Sequence, residues 1–376
     1  MAKKWKAIVL AVIVLLVSIK EFVPNEVYAA NTIIKVSSQA DLKKISKNMF
    51  GHYKLSKDIV ISEKEWNSIG LSKTNGVAFQ GILDGNGHTI SGLSSKKGNG
   101  LFYEVGKFGT VKNLTLEGKV SASDSDGCAI LTRSNSGYLY QVNAKGTVEG
   151  KTASCLAGIT IANSGKIEKC VNESKVIHNF STSKDTYYLA VNVGGICASN
   201  SGTILSCKNK GEILAKEYQV GGIAGANSTG CLIYNCENQA SVNGVHSGMV
   251  GGIVGWNYGM VNSCKNRGEI SVHFEPDMSR TQVGGIVGQI AGSGNVLKCL
   301  NDGTVSSGSF TGGIVGNINL RLFVDSGDVE QWINGGPIVA DCTNNGQIYS
   351  IDEENISFSY FENFCNYRQY IYENLV

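Results

Sequence analysis

The sequence predicts an all-β chain wound as a right-handed parallel β-helix, with a short capping helix at the N-terminus and a cap at the C-terminus. Three observations lead there. A motif recurs along the chain, as GGICASNSGTILSCKNKGEI over residues 194–213 and GGIVGWNYGMVNSCKNRGEI over residues 251–270. Within each unit a glycine opens a short β-branched segment three times, as in GGIVG, GMVNSC and GEISV, which implies three strands and three turns per coil. Finally, 47 glycines stand against 3 prolines, a balance that provides tight turns and avoids the residue unable to donate to a backbone ladder.

The opening residues read as a secretory signal peptide over 1–29. Lys3, Lys4 and Lys6 precede an apolar run from Ala7 to Val17, too short to span a bilayer, and Val27, Tyr28 and Ala29 form a small-residue cleavage site. Removal of this segment takes four lysines and two glutamates from a chain of formal net charge +2 and leaves it neutral. A neutral chain argues against nucleic acid or an anionic membrane surface as partner, and no membrane span is expected after cleavage.

Residues 30–78 are expected to hold the N-terminal cap and first strands. In SSQADLKKISKN, Ser38 stands three residues before Asp41 in a capping-box arrangement, with Leu42 and Ile45 on one helical face. A solenoid needs such a cover because an open strand edge recruits other chains.

The repeats proper are expected over 79–350. The GGI position falls at Leu131, Ile159, Ile196, Ile223, Ile253, Ile286 and Ile314, with separations of 28, 37, 27, 30, 33 and 28 residues. This is a solenoid period, shorter than a four-stranded propeller blade requires. A cysteine column follows at Cys170, Cys207, Cys236, Cys264, Cys299 and Cys342; Val142 and Leu114 occupy the same place upstream, so these thiols are expected to be unbridged core residues. Side chains stacked about 4.8 Å apart and nearly parallel also suit a disulfide poorly. Cys128, Cys155, Cys197, Cys231 and Cys365 lie off the column, and pairing among them is left open.

Two residues after each column cysteine comes an asparagine: Asn172, Asn209, Asn238, Asn266, Asn301 and Asn344. A second set, Asn135, Asn163, Asn200, Asn227 and Asn257, falls four residues after the GGI position. Identical amides stacked at a corner can each donate to the next, so both sets are expected to be structural ladders. The aromatic, non-repetitive FENFCNYRQYIYENLV leads to the expectation of a C-terminal cap over 351–376.

FQGILDGNGHTISGL at 79–93, followed by NGLFYEVGKFGTVKNLTLEG and by the GGIVG units, resembles bacterial surface proteins with GLUG-type repeats. The resemblance spans roughly residues 48–348. It implies a right-handed parallel β-helix, of the architecture shared with pectate lyases, on a secreted or cell-surface bacterial protein. Such repeats also accompany some immunoglobulin-A-cleaving zinc peptidases, whose chemistry resides in a separate HExxH domain. None of the five histidines here, at 52, 88, 178, 246 and 273, belongs to that motif, so peptidase activity is not carried over.

Enzyme signatures known from other β-helix proteins were sought. The NTD, Asp-Asp, GHG and RIK elements of polygalacturonases are absent, and no carboxylate cluster of the pectate-lyase kind accompanies the five arginines in the repeats. DGNGHT at 84–89 lacks the third oxygen ligand, following glycine and distal glutamate of a calcium loop and reads as a tight turn. No metal and no cofactor is expected.

Function is sought where the repeat is interrupted, because insertions in a solenoid gather on one face. From the third strand to the next GGI isoleucine the chain ordinarily takes 9 to 11 residues, but 20 from Val176 to Ile196 and 16 from Ile270 to Ile286. The inserts HNFSTSKDTYYLA and SVHFEPDMSRT bring His178, Phe180, Tyr187 and Tyr188 opposite His273, Phe274 and Arg280, aromatic and basic groups suited to a glycan or peptide groove. A third insert, NLRLFVDSGDVEQWINGG, lies between Ile314 and Cys342 and is expected to shield the last coils. The sequence thus predicts a non-catalytic binding or adhesion scaffold that recognises glycan or a host or surface protein. Two alternatives stand beside it: a polysaccharide lyase or glycoside hydrolase using Asp185, Glu275 and Asp277 as acid and base, and an accessory GLUG-repeat piece without a peptidase domain.

Overall fold

A computed structural model describes residues 32–70, 76–98, 100–122, 127–150, 155–178, 191–216, 219–245, 248–273, 281–307, 310–319 and 337–350. The signal-peptide, C-terminal-cap and third-insert predictions fall outside these residues, as does Cys365. Among the described residues the strands sort into sheets of 24, 7 and 8 members, and the pairings are parallel throughout.

One coil shows the design. The chain passes through Met249–Gly251, Val254–Asn257, Met260–Asn262, Lys265–Asn266 and Ile270–His273. The first of these belongs to the seven-stranded sheet, the second to the eight-stranded sheet and the last three to the long sheet. This coil therefore has five short segments, whereas an earlier one has the three strands the sequence led us to expect, Cys128–Ala129, Thr132–Asn135 and the 13-residue Tyr138–Gly150. The GGIVG stretch is divided between two sheets at Gly252–Ile253, and Lys265–Asn266, just after the column cysteine, forms a two-residue strand of its own.

Inward positions stack by residue type. Ile196, Ile223, Ile253 and Ile286 are fully buried, as are Ile204, Ile233, Val261 and Val296 in a second column and Val193, Val220, Val250 and Val283 in a third. Each such side chain removed from water contributes about 1.5–3 kcal/mol, and the repetition is what sums to a stable stack. In the cysteine column Cys170, Cys207, Cys236, Cys264 and Cys299 are buried and unbridged, in register with Val142 and Leu114 upstream. The thiols also bond along the axis: the Cys236 backbone N–H donates to Cys264 Sγ at 3.4 Å, and Cys264 Sγ–H to the Ile233 carbonyl of the preceding coil at 3.6 Å.

Both asparagine ladders form. Asn172, Asn209, Asn238, Asn266, Asn301 and Asn344 each donate Nδ2–H to the next Oδ1 at 2.7–2.8 Å. Asn135, Asn163, Asn200, Asn227 and Asn257 do the same at 2.8–2.9 Å. Within the first ladder Asn266 also donates to the Gly268 carbonyl and accepts from the Gly268 N–H, so a buried amide is satisfied on all sides. The glycine pair follows from this stack. A Cβ on Gly252 would overlap the Asn266 amide and the Gly285 carbonyl, and one on Gly251 would overlap the Val254 carbonyl.

A further column was not foreseen. The residue before each column position holds φ of 52–56°, at Asn113, Gln141, Lys169, Ser206, Asn235, Ser263, Lys298 and Asp341. This left-handed residue turns the chain within the long sheet and is unusual for its non-glycine occupants.

The first coils fill their interior differently. Trp66, Phe79 and Phe102 are buried, with the Phe79 and Phe102 rings stacked at 4.7 Å. Parallel pairing already begins with Ile33–Val36 against His52–Leu55, and the helix Gln39–Lys44 lies in the connection between them. Ser38 caps it by accepting from the Asp41 N–H, Asp41 returns a bond to the Ser37 N–H, and Leu42 and Ile45 are buried, as the sequence predicted.

Candidate functional site

Eight of the ten residues proposed from the inserts, Phe180, Asp185, Tyr187, Tyr188, Phe274, Glu275, Asp277 and Arg280, lie outside the described residues. The other two end strands: His178 closes Val171–His178 and His273 closes Ile270–His273. Val176 is in register with Ile213, Ile213 with Val242 and Val242 with Ile270. The two strand ends are therefore three coils apart, about 14 Å along the axis.

His178 does not present its ring to solvent. It is fully buried, in register with Ala215, and its Nδ1 lies 2.6 Å from the Lys216 carbonyl. A carbonyl only accepts, so Nδ1 carries the proton. The chain that follows the inserts enters the seven-stranded sheet at Asn192–Gly194 and Gln282–Gly284.

That sheet and the eight-stranded one meet at an inward bend on the outside of the coil. Along one wall Asn192, Gln219, Met249 and Gln282 are in register; along the other, Ser199, Ala226, Trp256 and Gln289. The walls touch where Asn192 Nδ2–H donates to Ser199 Oγ at 2.7 Å. Glycine makes the bend possible: a Cβ on Gly255 would press on the Val220 amide at 2.6 Å, and one on Gly288 on the Val250 amide at 2.6 Å. Trp256 stands in a row of small residues, Ser134, Ala162, Ser199 and Ala226, and its ring lies 4.7 Å from that of Tyr258. Sequence reasoning missed this wall, although a tryptophan breaking a row of serines and alanines was a visible signal.

The long sheet displays a different outer face. Tyr138 and Tyr140 lie on one strand with ring centroids 5.6 Å apart, and Lys166 sits 5.0 Å from the Tyr138 ring centre. Glu168 accepts from Tyr138 Oη–H and from Lys166 Nζ, both at 2.6 Å. Burial, reinforced by Glu168, pushes the Tyr138 hydroxyl pKa up; burial opposes ionisation of Glu168, yet the bonds from Lys166 and Tyr138 hold its carboxyl below the usual range. Further along, Lys145 pairs with Glu173 at 3.1 Å, Lys208 and Arg267 with Glu237 at 3.2 and 2.7 Å, and Lys265 with Asp302 at 2.7 Å. These charges pair among themselves, stapling one coil to the next.

The DGNGHT turn is tied to itself and to the adjoining coil. Asp84 Oδ1 accepts from the Asn86 N–H at 2.8 Å and from Asn113 Nδ2 at 3.1 Å, while Asn86 and Gly87 take positive φ. Among the described residues, no group of three or more His, Cys, Asp or Glu comes together to hold a metal ion. No helix among them is long and apolar enough to cross a membrane.

No protein-family model matches the chain. A 140-residue stretch, 34% of the chain, is 35% identical to halomucin from Haloquadratum walsbyi, and it corresponds to 2% of that protein's length. A solved structure of a candidate immunoglobulin A1 protease from Bacteroides ovatus is similar with a TM-score of 0.45 and 18% identity, over 74% of this chain and 77% of that one. An IgA1 protease structure is similar with a TM-score of 0.48 and 16% identity, over 84% of this chain and 21% of that one. The parallel pairing and the two amide ladders identify the chain as a parallel β-helix.

Proposed function

We propose that this chain is a non-catalytic binding or adhesion scaffold of a secreted or cell-surface bacterial protein, recognising glycan or protein through the segments inserted between coils. One observation carries the reading. The repeated amides, thiols and glycines are committed to holding coils together, whereas the two long inserts leave from strand ends that share a register three coils apart. Support for the surface setting comes from the lysine-led apolar N-terminus, the GLUG-type resemblance and the partial identity with halomucin.

The test is incubation of the purified chain with panels of polysaccharides and surface proteins, scored for retention and for new reducing ends or unsaturated products. Retention without product, weakened by at least about tenfold in a Tyr187→Ala/Phe274→Ala variant, is the expected result. Product that disappears with Glu275→Ala would replace this reading with the lyase or hydrolase alternative.

A further inference from the structure

The geometry points to a second recognition surface, outside the inserts: the bend between the seven- and eight-stranded sheets is a subsite for a linear, uncharged glycan laid along the coil axis. This inference rests on the scaffold reading above and names a ligand class for it.

Three observations converge on this bend. Across four successive coils neither wall carries an ionisable side chain, and the half-buried Asn192, Ser199 and Trp256 supply an amide, a hydroxyl and an indole. The long sheet, by contrast, carries rows of lysine, arginine, glutamate and aspartate. An uncharged, hydroxyl-rich chain suits the first surface and an ionic partner the second.

The second observation is an unmet demand. The indole Nε1–H of Trp256 and the Oδ1 of Asn192 are buried atoms with no hydrogen-bond partner among the described residues. Each such group costs about 1–3 kcal/mol while it stays unpaired. One is a donor and the other an acceptor, and a sugar hydroxyl serves both. The two atoms lie two coils apart, so hydroxyls spaced along a chain would meet them, and because the indole Nε1 is covered a ligand reaches it only as the Trp256 side chain turns outward, which changes the environment of the indole.

The third is shape. Ala226 precedes Trp256 in its row, so the indole is bordered in the preceding coil by a small residue that leaves room beside it, and an aromatic ring with such room can stack on the apolar side of a sugar. The rows repeat about every 4.8 Å, so a linear chain lying along the bend meets an uncharged pair of wall residues at each of these coils.

The experiment titrates the full chain with neutral polysaccharides (xylan, mixed-linkage glucan, galactomannan) and acidic ones (polygalacturonate, alginate), following tryptophan fluorescence and affinity electrophoresis. Three variants are compared: Trp256→Ala, Ala226→Phe, which fills the bend and keeps the indole, and Tyr187→Ala/Phe274→Ala in the inserts. Circular dichroism establishes that each is folded, and Ala226→Phe carries the test should Trp256→Ala fail to fold. We expect a neutral polysaccharide to bind with a fluorescence change and at least about tenfold more weakly in both bend variants, whereas the insert variant keeps the fluorescence change at saturating polysaccharide even where its affinity falls. Neutral-glycan binding that survives both bend variants overturns the assignment, and its loss in the insert variant then leaves the broader scaffold reading standing. Binding confined to acidic polysaccharide or to protein has the same meaning. If nothing in either panel binds, both readings fall.

Discussion

Asn238 donates its Nδ2–H to Oδ1 of Asn266 at 2.8 Å, one coil further on, and receives the equivalent bond from Asn209 at 2.8 Å. Its amide also holds the two backbone groups of Ala240. Asn238→Ala therefore removes bonds on both sides and leaves buried polar groups short of a partner. We expect a loss of about 2–4 kcal/mol, read as a lowered denaturation midpoint. Asn344→Ala, at the last described rung and only partly buried, should cost less.

The left-handed column gives a prediction of opposite sign. Lys298 holds φ of 52°. Glycine pays no Cβ penalty there, so Lys298→Gly should be neutral or stabilising by up to about 1 kcal/mol, whereas Lys298→Val should destabilise. Urea melts of the two variants check the contrast.

The thiol column predicts a reactivity pattern. All five of its buried thiols are shielded from solvent, and burial also pushes the Cys207 and Cys264 thiols well above their ordinary range. Cys170, Cys207, Cys236, Cys264 and Cys299 should resist a thiol reagent at neutral pH in the folded chain and react after unfolding without prior reduction. Labelling followed by mass spectrometry reads this directly; a pair missing from the unfolded, unreduced sample would contradict it. Cys264→Val, which places in this coil the side chain that Val142 already puts in the same column, should cost less than about 1.5 kcal/mol.

Acid should loosen the stack. Burial raises the Glu237 pKa, but bonds from Gln239, Lys208 and Arg267 outweigh it, and Glu168 is likewise held below its usual range. A carboxylate whose folded pKa is depressed adds stability that is present above its unfolded value, about 4.3 for glutamate, and is lost as pH falls through the folded value. The melting temperature should thus be level from about pH 5 upward in the acid-to-neutral range and fall below about pH 4. Each of these partly exposed pairs contributes at most about 1 kcal/mol, so the decline should be gradual and weaker in high salt.

Legibility in the sequence followed side-chain identity. The cysteine, asparagine and isoleucine columns could be read because each place demands one chemistry, and Val142 in the cysteine column revealed that the demand was apolar volume. The left-handed column was invisible because its place constrains only the backbone, and Gln141, Lys169, Ser206 and Asp341 share nothing but polarity. His178 was read with the insert because HNF has no counterpart in neighbouring units; its register with Ala215 instead makes it the last buried rung of a strand. Trp256 was overlooked for the reverse reason. It sits inside a well-formed repeat, and only the size of its neighbours in adjacent coils sets it apart.

The amide ladders are blind to sequence distance. Asn200 and Asn227 are 27 residues apart and Asn301 and Asn344 are 43 apart, yet their bonds measure 2.9 and 2.7 Å. A coil closes on its neighbour with the same clasp whatever length of chain leaves and returns between them. Inserted segments can therefore lengthen, shorten or be exchanged by recombination without renegotiating the scaffold, so this architecture lets new surface specificities arise by simple changes in loop length.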